Sequence, residues 1–492
     1  MAGGVAPAGD GTKSPTKIAA NIFISFIGSG VLGLPYAFKE AGVLEGVVVL
    51  VLVAIISVKA MLLVIDCKYA LTEKPSLASS KASRKSKNRE ELEDLIDGLQ
   101  AADDEEIIPK ALWGSDLSYG DVGFHAFGNF GQLLVEWAII LSQTGFCCAY
   151  LLFISTNLSN YIQVHQNYWL LALIPLEFCL CLIGNLKRLA FTSLFAQISN
   201  LMAFGVVFWF DFDEFHKVKA NIPLKEWSWE GLPFFLCVAI YCYEGAGMIL
   251  SLEASLHKDI RNKFQCYFLT VIALVTLLYA TFGACGYLSF GRDTKDIITL
   301  NLPKPEGGGV DFSTIVTSCL CLSLFFTYPI MMFPVSSIID RKVGITPETP
   351  KKLLSILIRA VMVVITGVVV LIIPNFGNLM ALIGATCCIW LAFILPAVFH
   401  MKICARTITT FDKAIDYIII GMGIVGTIVG LIDTMRRMSG NIDSTEKTAT
   451  PMVCLNPNGC STTPSLPLSF TEEVLAATLG KAVSNITSAL NP

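Results

Sequence analysis

The chain has 492 residues, of which 54% are apolar and only 15% charged, and its formal net charge is −4. A soluble globular chain carries about 25% charged residues, so a water-soluble domain is excluded as the main body of the protein. No basic face marks a nucleic-acid binder. The 16 cysteines include no Cys-x-x-Cys, and Cys147, Cys148, Cys179, Cys181, Cys319, Cys321, Cys387 and Cys388 fall in apolar runs, where Cys serves as a small hydrophobe. No metal site is expected.

Residues 1–16 are rich in Gly, Ala, Pro and Ser, have no early apolar core, and read as a disordered cytosolic N-terminus without a signal peptide. Apolar runs long enough to cross a ~30 Å hydrocarbon core as helix then predict eleven spans, near 17–37, 43–68, 127–158, 167–184, 189–210, 231–254, 264–289, 312–338, 353–373, 376–401 and 414–434. The third is long, which puts Glu136 and Trp137 at the interface. A transporter domain over 17–435 is the expectation, interrupted by a disordered cytosolic loop, 72–111, and followed by a non-cytosolic tail, 436–492. In the loop a basic block, Lys81 to Arg89, precedes an acidic one, Glu90 to Glu106. Its Glu91, Leu95 and Ile96 resemble an acidic dileucine signal read by sorting adaptors.

With the N-terminus in the cytosol, 23 of the 35 Lys and Arg fall on cytosolic segments, the positive-inside bias. The two Asn-x-Ser/Thr sequons, at Asn157 and Asn485, then lie on the other side, where glycosylation takes place. Cys454 and Cys460 share that side, so a small disulfide loop and a pair of free thiols both stay open.

Two spans contradict themselves. Gly28-Ser29-Gly30-Val31-Leu32-Gly33-Leu34-Pro35 puts three glycines and a proline in the first, a combination that weakens helix strongly. Tyr243-Glu244-Gly245-Ala246-Gly247 puts two glycines and an acid in the middle of the sixth. A five-span unit repeated once must be inverted, and matching interrupted helices point to an inverted-repeat transporter with a midplane site. Broken helices leave N–H and C=O groups without partners. Positive half-helix starts suit a carboxylate, freed carbonyls suit an ammonium, and glycine allows close approach. Ile27, Gly28, Ser29, Gly30 and Gly245 are therefore the expected contacts for an amino-acid zwitterion. The other reading of the glycines is close helix packing.

An intramembrane acid is costly to charge, which makes Glu244 the expected proton carrier and Glu177, in the fourth span, the runner-up. Glu253 reads as an interfacial or gating charge, and Lys59 as snorkelling to the cytosolic face. His125, His165, His216, His257 and His400, at span ends or in loops, read as surface residues. Tyr241, Tyr243, Phe325 and Phe326 are candidates to gate a side-chain pocket. With no charge aimed at the substrate's side chain, neutral amino acids are the expected cargo.

The segments 27–42 (IGSGVLGLPYAFKEAG), 239–253 (AIYCYEGAGMILSLE), 286–303, 324–335 (LFFTYPIMMFPV) and 371–400 resemble the amino acid/auxin permease family of the APC superfamily. With 141–158 (LSQTGFCCAYLLFISTNL) the set looks like the plant and algal vacuolar exporters of neutral amino acids. The resemblance covers about residues 17–435. It implies an all-α membrane protein with a LeuT-like 5+5 inverted-repeat fold of eleven helices. It also implies proton-coupled export from vacuole to cytosol, across a vacuolar membrane first and a plasma membrane second. Sodium-coupled relatives carry Asn where this chain has Ile24, which argues against sodium, whereas Thr327 matches a hydroxyl they use for it. Thr327 is equally placed to bind substrate or to bond back within its helix. A sodium-coupled or auxin-type permease and a non-transporting amino-acid sensor remain the alternatives. No nucleophile–base pair, metal cluster or phosphate loop falls among the spans, so neither an enzyme nor a cofactor is expected.

Overall fold

The computed structural model describes residues 13–85, 117–182, 199, 202, 204–210, 225–302, 312–345 and 351–440. The loop bearing Glu91, Leu95 and Ile96, most of the predicted fifth span, and the tail bearing Cys454, Cys460 and Asn485 lie outside the described residues. Every regular element among the described residues is helical. In lipid this is forced, because a helix satisfies its backbone polar groups within one segment.

The first span is α1 (Pro15–Phe26), a 3-10 segment (Ser29–Gly33) and α2 (Leu34–Ala41), bent by 49° at the break. Then come α3 (Val43–Lys85), α4 (Tyr119–Ile162) and α5 (Gln166–Cys181). Helical residues 204–210 belong to the fifth span. The sixth is split into α6 (Leu232–Cys242) and α7 (Ile249–Ala254), followed by α8 (Phe264–Phe290), α9 (Phe312–Lys342) and α10 (Lys352–Ile372). The tenth is α11 (Phe376–Ile383), two π-helical turns (Gly384–Cys388 and Trp390–Ile394) and α12 (Leu395–Ile403), and the last is α13 (Thr410–Met438). Among the described residues seven helices are long and apolar enough to cross a membrane, and the bent first pair, counted as one span, makes an eighth. The chain is an all-α membrane protein.

Burial sorts these helices by position. The apolar stretches of Phe376–Ile403 and α4 are 78% and 72% buried, whereas those of α10 and α13 are 22% and 28% buried. The first pair forms the centre. The second pair shows side chains such as Leu357, Val364, Val425 and Ile428 outward, where hydrocarbon is their solvent.

The ion pairs near the span ends fall into two groups, one at each end. At the end where α1 begins, Lys13 pairs with Asp259 at 2.9 Å and Lys68 with Glu253 at 2.6 Å. At the end where α2 finishes, Arg437 binds Glu40 at 2.8 Å and Asp433 at 2.9 Å, and Glu45 accepts the Ser228 N–H at 2.7 Å. Asp296, in the loop on that side, accepts the N–H of Phe376 at 3.0 Å. Burial raises its carboxyl above the usual range, opposed by the backbone N–H groups it faces.

Several details differ from the sequence reading. α4 begins at Tyr119 rather than near residue 127, because Ser118 and Asp121 form a reciprocal capping box there. It is interrupted at Phe127 and Gly128, where Gly128 takes φ 60°, a conformation natural to glycine. Glu136 lies beside the exposed cations that end α9, and Trp137 is exposed. The Glu136 side chain is buried and pairs with Lys342 at 2.6 Å and with Arg341, since α9 continues to Lys342 alongside it. Asn157 offers no accessible sequon. Its amide is buried in α4, donating to the Phe153 carbonyl at 2.9 Å and accepting from Thr299 at 2.8 Å.

Candidate substrate site at the two helix breaks

α1 stops at Phe26. Ile27 (φ −79°, ψ 103°) and Gly28 (φ −127°, ψ −168°) run extended before the Ser29 segment begins. α6 stops at Cys242, and the chain turns through Tyr243–Met248 before α7. No side chain caps the start of the Ser29 segment, of α2 or of α7. At the start of α2 the Leu34 N–H donates to the Val31 carbonyl and Pro35 has no N–H, whereas the first N–H groups of the Ser29 segment and of α7 have no side-chain cap. On the carbonyl side the Phe26 oxygen is already taken, by the Tyr279 hydroxyl at 2.5 Å.

The glycines divide into two jobs. A Cβ on Gly30 would stand 2.8 Å from Cys242 Sγ and 3.1 Å from the Tyr241 ring, and one on Gly245 would stand 2.6 Å from the Phe26 ring. These two interlock one break with the other. Gly28 has no such neighbour within 4 Å, and the nearest to Gly247 is at 3.9 Å. These two leave the backbone approachable. Both sequence readings of the motifs are therefore present, each in different glycines.

Between the breaks lies a cavity of about 50 Å³, room for about four waters. Of the residues expected from the sequence, Gly28, Ser29, Gly30, Tyr241 and Glu244 line it. Buried Glu244 Oε1 has no hydrogen-bond partner among the described residues, and the buried Tyr241 hydroxyl faces Ser29. An orphaned polar atom such as Glu244 Oε1 is costly without a ligand or water. The lining also includes residues the sequence reading passed over: Ser25, Phe26, Gln143, Phe146, Tyr150, Cys242, Met248, Tyr279 and Met331. Three of them carried a signal, since Gln143, Phe146 and Tyr150 recur at i, i+3 and i+7, one face of a helix.

The other candidates lie elsewhere. Ile27 and Gly245 sit in the breaks without lining the cavity. The Tyr243 hydroxyl donates to Thr276 at 2.8 Å, and its ring packs 5.5 Å from Tyr279. Phe326 stacks edge-on with Phe325, and Thr327 donates to the Ser323 carbonyl at 2.8 Å, the back-bonded arrangement. Glu177 is fully buried in α5, with neither carboxylate oxygen hydrogen-bonded among the described residues. Glu253 is buried against Lys68 and the Tyr69 hydroxyl, the latter at 2.7 Å. His400 is not a surface residue. It is buried and bonds Asp416 at 2.7 Å, because α13 starts at Thr410 and folds its first turns onto α12. Among the described residues no group of three His, Cys, Asp or Glu could hold a metal ion.

Two half-helix starts without side-chain caps, with a cavity between them that an unpartnered carboxylate oxygen faces, form the candidate site. The sequence profile of the transmembrane amino acid transporter proteins matches residues 11–82 and 114–436. The chain belongs to that family. It is 32% identical over 457 residues to Amino acid transporter ANT1 of Arabidopsis thaliana, covering 87% of this chain and 93% of that one. It is 33% identical to Amino acid transporter AVT3C of the same plant over 442 residues (85% and 89%), and 32% identical to AVT3B over 442 residues (86% and 92%). The family profile resumes at residue 114, so it includes Gln143, Phe146 and Tyr150 as well as both breaks. The unmatched stretch between residues 82 and 114 covers most of the polar loop. Membership in a transporter family excludes an enzyme, as the sequence implied.

Proposed function

We propose that this amino acid transporter carries neutral amino acids together with protons, from a vacuolar lumen to the cytosol, between the broken halves of its first and sixth spans. The observation that supports this most is the pairing of uncapped half-helix starts with the orphaned Glu244 Oε1. The substrate carboxylate would meet the N–H groups at the start of the Ser29 segment, and its ammonium the carbonyls of the breaks. No Lys, Arg or Asp lines the cavity, which favours cargo without a charged side chain. Glu244 faces the Gly247 N–H at the join of α6 and α7. Gaining or losing its proton there changes the charge at the point where the sixth span bends.

Sodium is disfavoured at this site. The Ile24 side chain brings no oxygen, whereas the Thr327 hydroxyl, which donates to the Ser323 carbonyl, keeps its lone pairs. The vacuolar address and the cytosolic N-terminus follow from the resemblance, the basic-residue bias and the Glu91, Leu95, Ile96 signal. Glu177 stands as the second candidate carrier. Proteoliposomes holding the full chain, given a labelled panel of amino acids with and without an imposed pH gradient, test the reading. Accumulation of neutral amino acids should follow the pH gradient and survive removal of sodium. Glu244→Gln should reduce acid-driven accumulation at least tenfold while counterflow exchange persists. Full acid-driven accumulation in Glu244→Gln moves the carrier role to another group, and a strict sodium requirement overturns proton coupling.

A further inference from the structure

A second, larger cavity of about 550 Å³ lies at the end of the spans where α1 begins, enclosed by α3, the end of α12, the 404–409 connection and the first turn of α13. It shares no lining residue with the cavity at the breaks. Its volume falls within the ~300–1,000 Å³ usual for small-molecule sites. The charged groups on its wall are Lys59 and Asp66 from α3, His400 from α12, Arg406 from the connection and Asp412 from α13. His400 is held by Asp416 at 2.7 Å, and Asp412 by the Thr409 hydroxyl at 2.7 Å. Lys59, Asp66 and Arg406 form no hydrogen bond or close ion pair among the described residues; Asp66 and Arg406 are exposed, and Asp66 faces His400 and Lys59 across the cavity.

We propose that this cavity is a regulatory site for a free amino acid, separate from the translocation path, in which the zwitterion's carboxylate meets Lys59 and Arg406 and its ammonium meets Asp66. A wall with unpaired groups of both signs selects a ligand that carries both. A simple anion would leave Asp66 opposed, and a simple cation would face Lys59 and Arg406. A zwitterion meets groups of both signs, its carboxylate shared between Lys59 and Arg406, and adds no net charge. The cavity is several times larger than the one at the breaks, so it also has room for a long side chain. Its walls belong to elements that meet the sixth span from two sides. α3 holds α7 through Lys68 and Glu253, and the π-helical turns ahead of α12 pack on α6. A ligand bridging α3 to α12 and α13 restrains the relative movement of those elements and slows turnover. In the orientation proposed above this is the cytosolic face, so transported amino acid would restrain its own release. The binding site itself does not depend on that orientation.

The test is equilibrium binding of labelled alanine and labelled leucine to the full chain in lipid nanodiscs, for the wild type, Lys59→Gln/Arg406→Gln and Asp66→Asn. Two molecules should bind per wild-type chain and one per double variant, with Asp66→Asn weakening the second site at least tenfold. In proteoliposomes, unlabelled amino acid on the α1-start face should lower the maximal rate in the wild type, and the double variant should be relieved of this with its KM unchanged. A melting temperature near that of the wild type confirms that the variants fold. One molecule bound to wild type and double variant alike overturns the second site and leaves the break site standing. One bound to wild type and none to a folded double variant overturns the break site as a stable binding site. Saturation of the cavity by inorganic phosphate, with no amino acid displacing it, also overturns the proposal.

Discussion

At the scale of single residues, neighbouring glycines of one motif have opposite reasons to be glycine. Gly30 has Cys242 Sγ and the Tyr241 ring where a Cβ would go, at 2.8 and 3.1 Å, while Gly28 has open space. Overpacking a close contact costs about 1–3 kcal/mol. Gly30→Ala should therefore lower the melting temperature in detergent and impair transport together. Gly28→Ala should leave the melting temperature nearly unchanged and raise the KM for the amino acid. Equal melting losses in the two variants would show that the breaks are packing seams alone. The motif spelled out where the chain would unwind. It did not say which glycine meets a neighbour, because that depends on Phe26, Tyr241 and Cys242 arriving from other parts of the chain.

At the scale of elements, α7 has only six residues, too short to persist as helix without tertiary support. Its support is buried Glu253, held by buried Lys68 at 2.6 Å and by the partly exposed Tyr69 hydroxyl at 2.7 Å, with Arg261 3.8 Å away. Removing one member of a buried ion pair typically costs about 3–5 kcal/mol, because the other charge is left unpaired, whereas replacing both with apolar groups is often close to neutral. Lys68→Met and Glu253→Leu alone should each destabilise strongly, and the double variant should recover much of the loss. A double-mutant cycle on melting in detergent measures the coupling, and simple additivity would separate α7 from α3. Glu253 was legible as a charge near a span end. Its partner was not, since Lys68 lies 185 positions away and reads from the sequence as one of many loop-proximal cations.

For the whole molecule, the decisive property is that the described charges at span ends collect into two opposite groups. Lys13, Asp259, Lys68 and Glu253 share one end, and Glu40, Arg437, Glu45 and Ser228 the other. Alternation of the spans requires this, and the basic-residue bias adds the expectation that the first group faces the cytosol. Single cysteines at Asp259 and at Asp293, in a background where native exposed cysteines are replaced, should label from opposite sides of the membrane of sealed cells or organelles that hold the protein, Asp259→Cys from the cytosolic side. Labelling of both from one side would overturn the topology, and reversed labelling would overturn only its orientation.

The sequence by itself determined the membrane class, the places where spans one and six break, and the family. The first two depend on local quantities, apolar run length with glycine, proline and a costly acid within a run, while the family followed from the resemblance of whole motifs. Tertiary structure alone decided that Gln143, Phe146, Tyr150 and Met331 complete the cavity at the breaks, that His400 pairs with Asp416, and that Glu136 is buried against Arg341 and Lys342. In each case a polar or bulky side chain takes its meaning from a partner on a distant helix. The free energy of burying a charge or filling a gap belongs to the pair, and a single chain position does not hold it.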